Sequence, residues 1–138
     1  SRVHKLQTLL GRRVNMHDQM ALHYLLKQGV YMKHIILMCK LYKRKMRCIT
    51  NALREQFGDN IQILGTHSGM HIAVVFSGKC FHAASTRSFL KHGVGADLLL
   101  DYMIEKQETC DTLILGFGNL DENAIREGVK RLKAAISM

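Results

Sequence analysis

The longest helical pattern in the chain lies in its first half, and it constrains the fold more than any other feature. Apolar side chains recur there at steps of three and four residues, without a gap, at Ile35, Cys39, Tyr42, Met46, Ile49, Leu53 and Phe57. This spacing places them on one face of an α-helix. We predict a single helix from Val30 to Phe57, ended by Gly58. The 138 residues include no proline that could break it.

The length of this helix suggests that it joins two bodies. At about 1.5 Å per residue it would span roughly 40 Å, more than a domain this small needs to cross its own core. A shorter helix is predicted just before it, from Met16 to Gln28, with Asn15 as its cap and Gly29 at its end.

Beyond Gly58 the apolar pattern changes from helical to strand-like. Two β-rich segments, Ile61 to Leu64 and Met70 to Phe76, flank a glycine-containing turn, which predicts two antiparallel strands. The rest of the chain predicts a helix over Phe81–Lys91, a short extended piece that begins at Gly93-Val94, and a strand over Thr112–Phe117. A final helix over 122–136 follows, capped by Asp121. We therefore expect an α+β fold: long N-terminal helices followed by a small, mostly antiparallel sheet with helices packed on one face.

Composition narrows the classes of partner. Lysine and arginine number 20 against 11 aspartates and glutamates, a net charge of +9, which favours polyanions. The basic stripe on the long helix lacks the interleaved aromatic residues of single-strand binders, so a solvated face is the preferred interpretation. A stand-alone nucleic-acid-binding domain stays an alternative.

The spacing of the four cysteines is not typical of zinc sites.

No apolar run approaches the roughly 18 residues of a membrane span, and the first residues lack a signal-peptide core. We expect a cytoplasmic protein without membrane contact.

Four segments of the chain, taken in order, form a recognisable combination. They are the glutamine-led helix from Gln19 to Gly29, the helix from Met38 to Gly58, the strand start Ser68-Gly69-Met70-His71, and Leu115-Gly116-Phe117-Gly118-Asn119-Leu120 with Gly128-Val129. Together they resemble the carboxyl-terminal part of fold type I pyridoxal-phosphate (PLP) proteins. The resemblance runs from about Asn15 to Ile136 and is closest to the MocR/GabR subfamily of GntR transcriptional regulators, in which an aminotransferase-like domain follows a winged helix.

The resemblance implies a domain division and a cofactor. Residues 1–29 would be a helical arm belonging to a missing large domain, and residues 30–138 the aminotransferase-like small domain with its connecting helix. The parent protein would hold PLP as a Schiff base on a lysine of the large domain, and none is expected covalently bound to this chain. The implied partners are that large domain, DNA through a separate winged-helix domain, and a second copy, since the apolar faces of the first helices would otherwise be exposed.

The resemblance also suggests ligand-pocket residues. Where catalytic members have an arginine that pairs with the substrate carboxylate, this chain has Ile114, which puts ordinary transamination in doubt. Met70, His71, Ile114 and Gly116 are the ligand-pocket candidates. A partly buried histidine bonded to backbone is the competing interpretation of His71, and a turn or bulge that of Gly116. We predict no catalytic residue, and His67 with His71 alone makes a poor metal site.

The function that these expectations favour is the effector-binding small domain of a PLP-dependent regulator, not catalytic by itself. The alternative is the C-terminal domain of an aminotransferase, in which another cation such as Arg87 would replace the missing arginine.

Overall fold

A computed structural model describes residues 15–67, 69–105 and 107–137. The helices are α1 (Met16–Lys27), α2 (Val30–Phe57), α3 (Ala83–Lys91) and α4 (Glu122–Ile136), and the strands are β1 (Ile61–Leu64), β2 (His71–Phe76), β3 (Asp97–Leu98) and β4 (Thr112–Gly116). Short 3-10 turns occupy Gly58–Asn60 and Leu99–Tyr102. Of the expected arm 1–29, residues 1–14 lie outside the described part.

The two N-terminal helices form as predicted. The side chain of Asn15 accepts a hydrogen bond from the His17 backbone N–H over 3.1 Å and so caps α1. Gly29 separates the helices with a φ of 69°, a conformation that glycine adopts without strain. Helix α2 then runs for 28 residues, with the predicted bounds.

The chain divides into two compact units between Cys39 and Lys40, inside α2. In the described part of the first unit, α1 has no buried residue. Large apolar side chains are exposed along this unit at Met16, Met20, Leu22, Tyr24, Leu25, Leu26, Val30, Tyr31, Met32, Ile35, Ile36 and Leu37. Burial along the predicted apolar face of α2 begins only at Met46.

The second unit contains a four-stranded sheet in the order β1-β2-β4-β3, and every pairing is antiparallel. Along β2, Ile72, Val74 and Phe76 are buried and the alternate residues are more exposed, which is the two-residue period of a half-covered sheet. The predicted α+β class is confirmed.

The short extended piece begins later than predicted. Gly93 and Val94, where it was expected to begin, instead close the end of α3: their N–H groups donate to the carbonyls of Leu90 and Phe89, each over 2.9 Å. This is the Schellman arrangement, and the φ of 70° at Gly93 permits it. The short strand follows later, at Asp97–Leu98.

The core of this unit fills one side of the sheet. Four phenylalanines form an edge-to-face series, Phe57 to Phe76 to Phe81 to Phe89, with ring centroids 5.1, 5.5 and 5.8 Å apart. Helix α4 adds the buried residues Ile125, Val129, Leu132 and Ala135, and Asp121 caps it by accepting from the Ala124 N–H over 2.8 Å. Helices thus cover the side of the sheet that faces the core, and the opposite side carries the exposed residues Gln62, Leu64, His71 and Gly116.

The described helices include none that combines the length and the apolar character needed to cross a membrane.

Candidate functional site

A cavity of about 420 Å³ lies where β2 begins and β4 ends. Its lining residues come from α2, from the start of β2 and from the segment that leaves β4, and they are Tyr42, Met70, His71, Gly116, Gly118 and Asn119. All belong to the second unit.

The sheet register places the two sides of this cavity together. His71 is the first residue of β2 and pairs with Gly116, the last of β4. The Phe117 N–H then donates to the Met70 carbonyl over 3.0 Å, which extends the pairing by one residue beyond the strands. The turn before β2 contains Gly65 and Gly69 with φ values of 79° and 84°, in the left-handed region that glycine tolerates best.

Both glycines at the end of β4 lie directly against side chains from the start of β2. A Cβ atom at position 116 would lie 3.1 Å from Cδ2 and 3.2 Å from Nε2 of His71. At position 118 it would lie 2.9 Å from Sδ of Met70. The space above each glycine is therefore taken by a side chain of this protein, so the glycines set where His71 and Met70 lie.

Lys45 supports the cavity from α2. Its ammonium donates to the carbonyl oxygen of Gly118 over 2.8 Å and lies 5.7 Å from the centre of the Tyr42 ring. The side chain is half-buried. The carboxylates within 4.0 Å of a basic group in the described residues pair with arginines and not with Lys45.

Two further contacts join α2 to the start of α4. Arg44 Nε lies 2.6 Å from Glu122 Oε1, and the Cys48 thiol donates to the Glu122 carbonyl over 3.6 Å. Burial raises the pKa of the Cys48 thiol, and the nearby carboxylates of Glu122 and Glu55 raise it further against the opposing effect of Arg126. Together with Lys45 these contacts hold the segment between β4 and α4 against the helix.

The structure brings three of the four sequence-predicted candidates to this cavity. Met70, His71 and Gly116 line it; Ile114 does not. Ile114 lies two residues before Gly116, so it shares a face of β4 with that glycine, and it pairs with Ala73 and Asp97. His71 is exposed, unlike the partly buried histidine of the competing interpretation, and Arg87 lies exposed on α3 outside the lining.

Sequence reasoning missed Tyr42 and Asn119 as cavity residues, and it did not predict the hydrogen bond from Lys45 to Gly118. Tyr42 and Lys45 are three apart on α2, a spacing that puts two side chains on one helix face. That signal was present, but it did not indicate which face would meet the end of β4.

A second cavity of about 500 Å³ shares Gly116 and Asn119 with the first. It opens between the segment Gly93–Gly95 and helix α4, and its lining is mostly apolar, with Glu127 and Arg131 as the charged members. These two side chains pair with each other at 2.9 Å and are about half exposed.

The comparison with family models gives no match. Among curated proteins, the chain is 32% identical over 133 residues to "Uncharacterized HTH-type transcriptional regulator YdeL" of Bacillus subtilis (strain 168), and 32% identical over 127 residues to the similarly named YhdI of the same organism. The matches cover 96% and 92% of this chain but only 28% and 27% of the relatives. The chain thus spans less than a third of the length of the proteins that it matches.

Solved structures of aminotransferases share the fold. LysN, an α-aminoadipate aminotransferase from Thermus thermophilus, superposes with a TM-score of 0.79 over 96% of this chain and 34% of its own, at 22% identity. The multiple substrate aminotransferase of Thermococcus profundus gives 0.73 at 22% identity, and the kynurenine aminotransferase of Pyrococcus horikoshii gives 0.72 at 25% identity, each over 82% of this chain and 28% of its own. The chain is an aminotransferase-like relative of HTH-type regulators. The predicted resemblance to aminotransferase-like proteins and to transcriptional regulators is thereby confirmed.

Two of the three solved structures contain pyridoxal-derived compounds. The LysN structure contains N-(5'-phosphopyridoxyl)-L-leucine and the Pyrococcus one contains PMP. In this chain, the lysine that supports the cavity has its ammonium bonded to the Gly118 carbonyl. The cavity is otherwise an open surface with a histidine and an amide in its lining.

Proposed function

We propose that this chain is the ligand-covering small domain of a PLP-dependent transcriptional regulator of the MocR/GabR type, and that it does not catalyse a reaction by itself. Ile114 carries the proposal. It stands on the strand that ends at the cavity, at the position where the resemblance places the carboxylate-binding arginine of transaminases, and an isoleucine side chain cannot bind a carboxylate. The two regulator relatives, matched over more than nine-tenths of this chain, support the same choice.

The parent protein would carry the parts that this chain lacks. Well over two thirds of each relative lies outside the match, which is room for an HTH domain that binds DNA and for a large domain that holds PLP. Bound PLP supplies an electron sink next to the amino group of a ligand. The residues of this chain would cover the ligand, with His71 and Asn119 as polar groups at the cavity.

The exposed apolar side chains of residues 16–37 support the proposed partners. Twelve large apolar residues are exposed on these two helices. Soluble monomers rarely expose so many together, and such patches mark contact surfaces. We assign this surface to the large domain of the same polypeptide and, through it, to a homodimer. A DNA-binding protein of this kind would act in the cytoplasm.

The experiment uses the full protein encoded by the reading frame that contains this chain. DNA binding is measured by fluorescence anisotropy on the promoter of its own gene, at fixed salt, with and without PLP and a panel of amino acids. We expect sequence-specific binding whose affinity changes with PLP or with one amino acid, and amino-group transfer at background level.

Rapid transamination without specific DNA binding would establish the aminotransferase alternative, which the three solved neighbours favour. Tight binding by these 138 residues alone, falling steeply with salt, would instead support the basic nucleic-acid module.

A further inference from the structure

We propose that the second cavity, which has Gly95 and Gly116 in its lining, receives an extended polypeptide segment from the part of the parent protein outside these 138 residues. The segment would pair through its backbone with the edge of β4, as an added strand does. This inference rests on the proposed parent protein, and it names a contact inside that protein.

Gly116 has backbone groups that no neighbouring strand uses. In an antiparallel sheet, successive residues direct their N–H and C=O groups to alternate neighbours. Phe117 donates its N–H to the carbonyl of Met70, on the β2 side. Gly116 therefore directs its own groups to the opposite side of β4, where β3 lies. The pairing of β3 with β4 reaches only as far as Ile114, two residues before Gly116.

The structure leaves open space beside this edge. Among the described residues, no backbone hydrogen bond joins Gly116 to Gly95, which would be its partner if the same register continued. A Cβ atom at Gly95, or at Gly128 on helix α4, would meet nothing within 4 Å. All three glycines line this cavity of about 500 Å³. Another backbone can thus approach closely, and an unpaired strand edge is a template for a further strand.

The cavity lining favours an uncharged occupant. Its charged members, Glu127 and Arg131, pair with each other at 2.9 Å, and most of the other lining residues are apolar. An extended polypeptide offers neutral N–H and C=O groups to Gly116 and apolar side chains to the rest of the lining. We assign the segment to the same polypeptide because well over two thirds of each regulator relative lies outside the match.

Hydrogen exchange at the Gly116 amide tests this contact, measured by mass spectrometry with fragmentation to single residues. The exchange rate is compared between the 138-residue chain and the full parent protein, both free of PLP and amino acids. We expect the rate in the parent to be about tenfold lower or more, the scale of one added hydrogen bond. The amide of Gly78, an exposed residue outside the cavity lining, is the internal control and should exchange alike in both proteins.

Two substitutions fill the cavity from different elements of its lining. Gly128→Leu adds a side chain on α4, and Gly95→Val adds one on the segment after α3, each where the structure has open space. In the parent, each should bring the exchange rate of the Gly116 amide to within about threefold of the rate in the isolated chain. Lys130→Leu, at an exposed position of α4 outside the lining, is the matched control and should keep the slow exchange.

Equal exchange at Gly116 in the parent and in the isolated chain would overturn the inference, and so would slow exchange that survives both filling substitutions. Two other results would also overturn it. Exchange that slows in the isolated chain as its concentration rises would assign the cavity to a second copy, and exchange that slows in the parent only after PLP or an amino acid is added would assign it to a small ligand.

If one filling variant fails to fold, the other variant and the comparison of the wild-type proteins still decide. The proposed function is judged separately by DNA binding, which can fail or succeed whatever the exchange rate at Gly116.

Discussion

The imidazole of His71 covers Gly116 across the β2–β4 pairing, so closely that a Cβ atom at position 116 would approach Cδ2 of the ring to 3.1 Å. Met70 lies over Gly118 in the same way, since a Cβ atom at position 118 would lie 2.9 Å from Sδ of Met70. One wall of the candidate cavity is thus built from side chains that lie over glycines. The positions of those side chains depend on the absence of a methyl group beneath them.

Gly116→Ala is expected to displace the ring of His71 without stabilising the protein. Gly128→Ala is the matched control, because Gly128 lies inside α4 and a Cβ there meets nothing within 4 Å. The control should gain about 0.5–1 kcal/mol in the free energy of unfolding, the usual difference between alanine and glycine in a helix. Urea denaturation measures both, and NMR follows the His71 ring. Equal stabilisation by the two substitutions would contradict the crowding at position 116.

Removal of the cap of α4 should destabilise the second unit. Asp121→Ala loses the acceptor of the Ala124 N–H and is expected to lower the free energy of unfolding by about 1 kcal/mol. Asp121→Asn keeps a capping oxygen and should stay near the wild type. Chemical denaturation followed by circular dichroism tests this. If the alanine and asparagine variants lose the same free energy of unfolding, the destabilisation does not come from the loss of the cap.

Thiol alkylation should distinguish the cysteines by burial and by pKa. Cys39 and Cys80 are exposed, whereas Cys48 is buried and burial raises the pKa of its thiol. The thiolate is the reactive form, so a raised pKa moves the reaction of Cys48 to higher pH. We expect Cys48 to react at least about tenfold more slowly than Cys80 near pH 8, measured by iodoacetamide labelling and mass spectrometry.

Denaturant supplies the control for this labelling, since it should bring all four cysteines to similar rates. Faster labelling of Cys48 than of Cys80 in the native protein would be the contrary result.

The isolated chain should self-associate through its first unit. Light scattering is expected to give a mass above the 15.7 kDa of one chain, because apolar side chains such as Met20 and Leu37 are 65% and 60% exposed there. Lys substitution at both positions should shift the mass towards one chain. Leu90→Lys changes a residue that is 62% exposed in the second unit and should leave the mass unchanged. A wild-type monomer at high concentration would refute the prediction.

Elements whose pattern is local were predictable from the sequence. Helix α2 has the predicted bounds because its apolar residues follow the helical period from Ile35 to Phe57 and Gly58 ends it. Asp121 was recognised as a cap because the acceptor and the N–H that it satisfies are three residues apart. Strands β1, β2 and β4 were placed to within one residue by their β-branched and apolar content.

Features that depend on tertiary contacts could not be predicted from the sequence. Strand β3 has only two residues and is defined by its pairing with β4, so no local pattern announces it. The role of Gly93 as the end of α3 was concealed because a glycine followed by valine also suits an extended segment. No sequence pattern singled out Lys45 among the basic residues of α2, and only the fold places its ammonium on the Gly118 carbonyl.

The chain contains no tryptophan and four tyrosines, and their places in the fold give it an intrinsic optical reporter. Tyr24, Tyr31 and Tyr102 are exposed, whereas Tyr42 is half-buried and lines the cavity beside Lys45. Replacing the three exposed tyrosines by phenylalanine leaves one tyrosine, located in the lining of the candidate cavity. The quenching of that single ring then reports occupancy directly, without any dye attached to the protein.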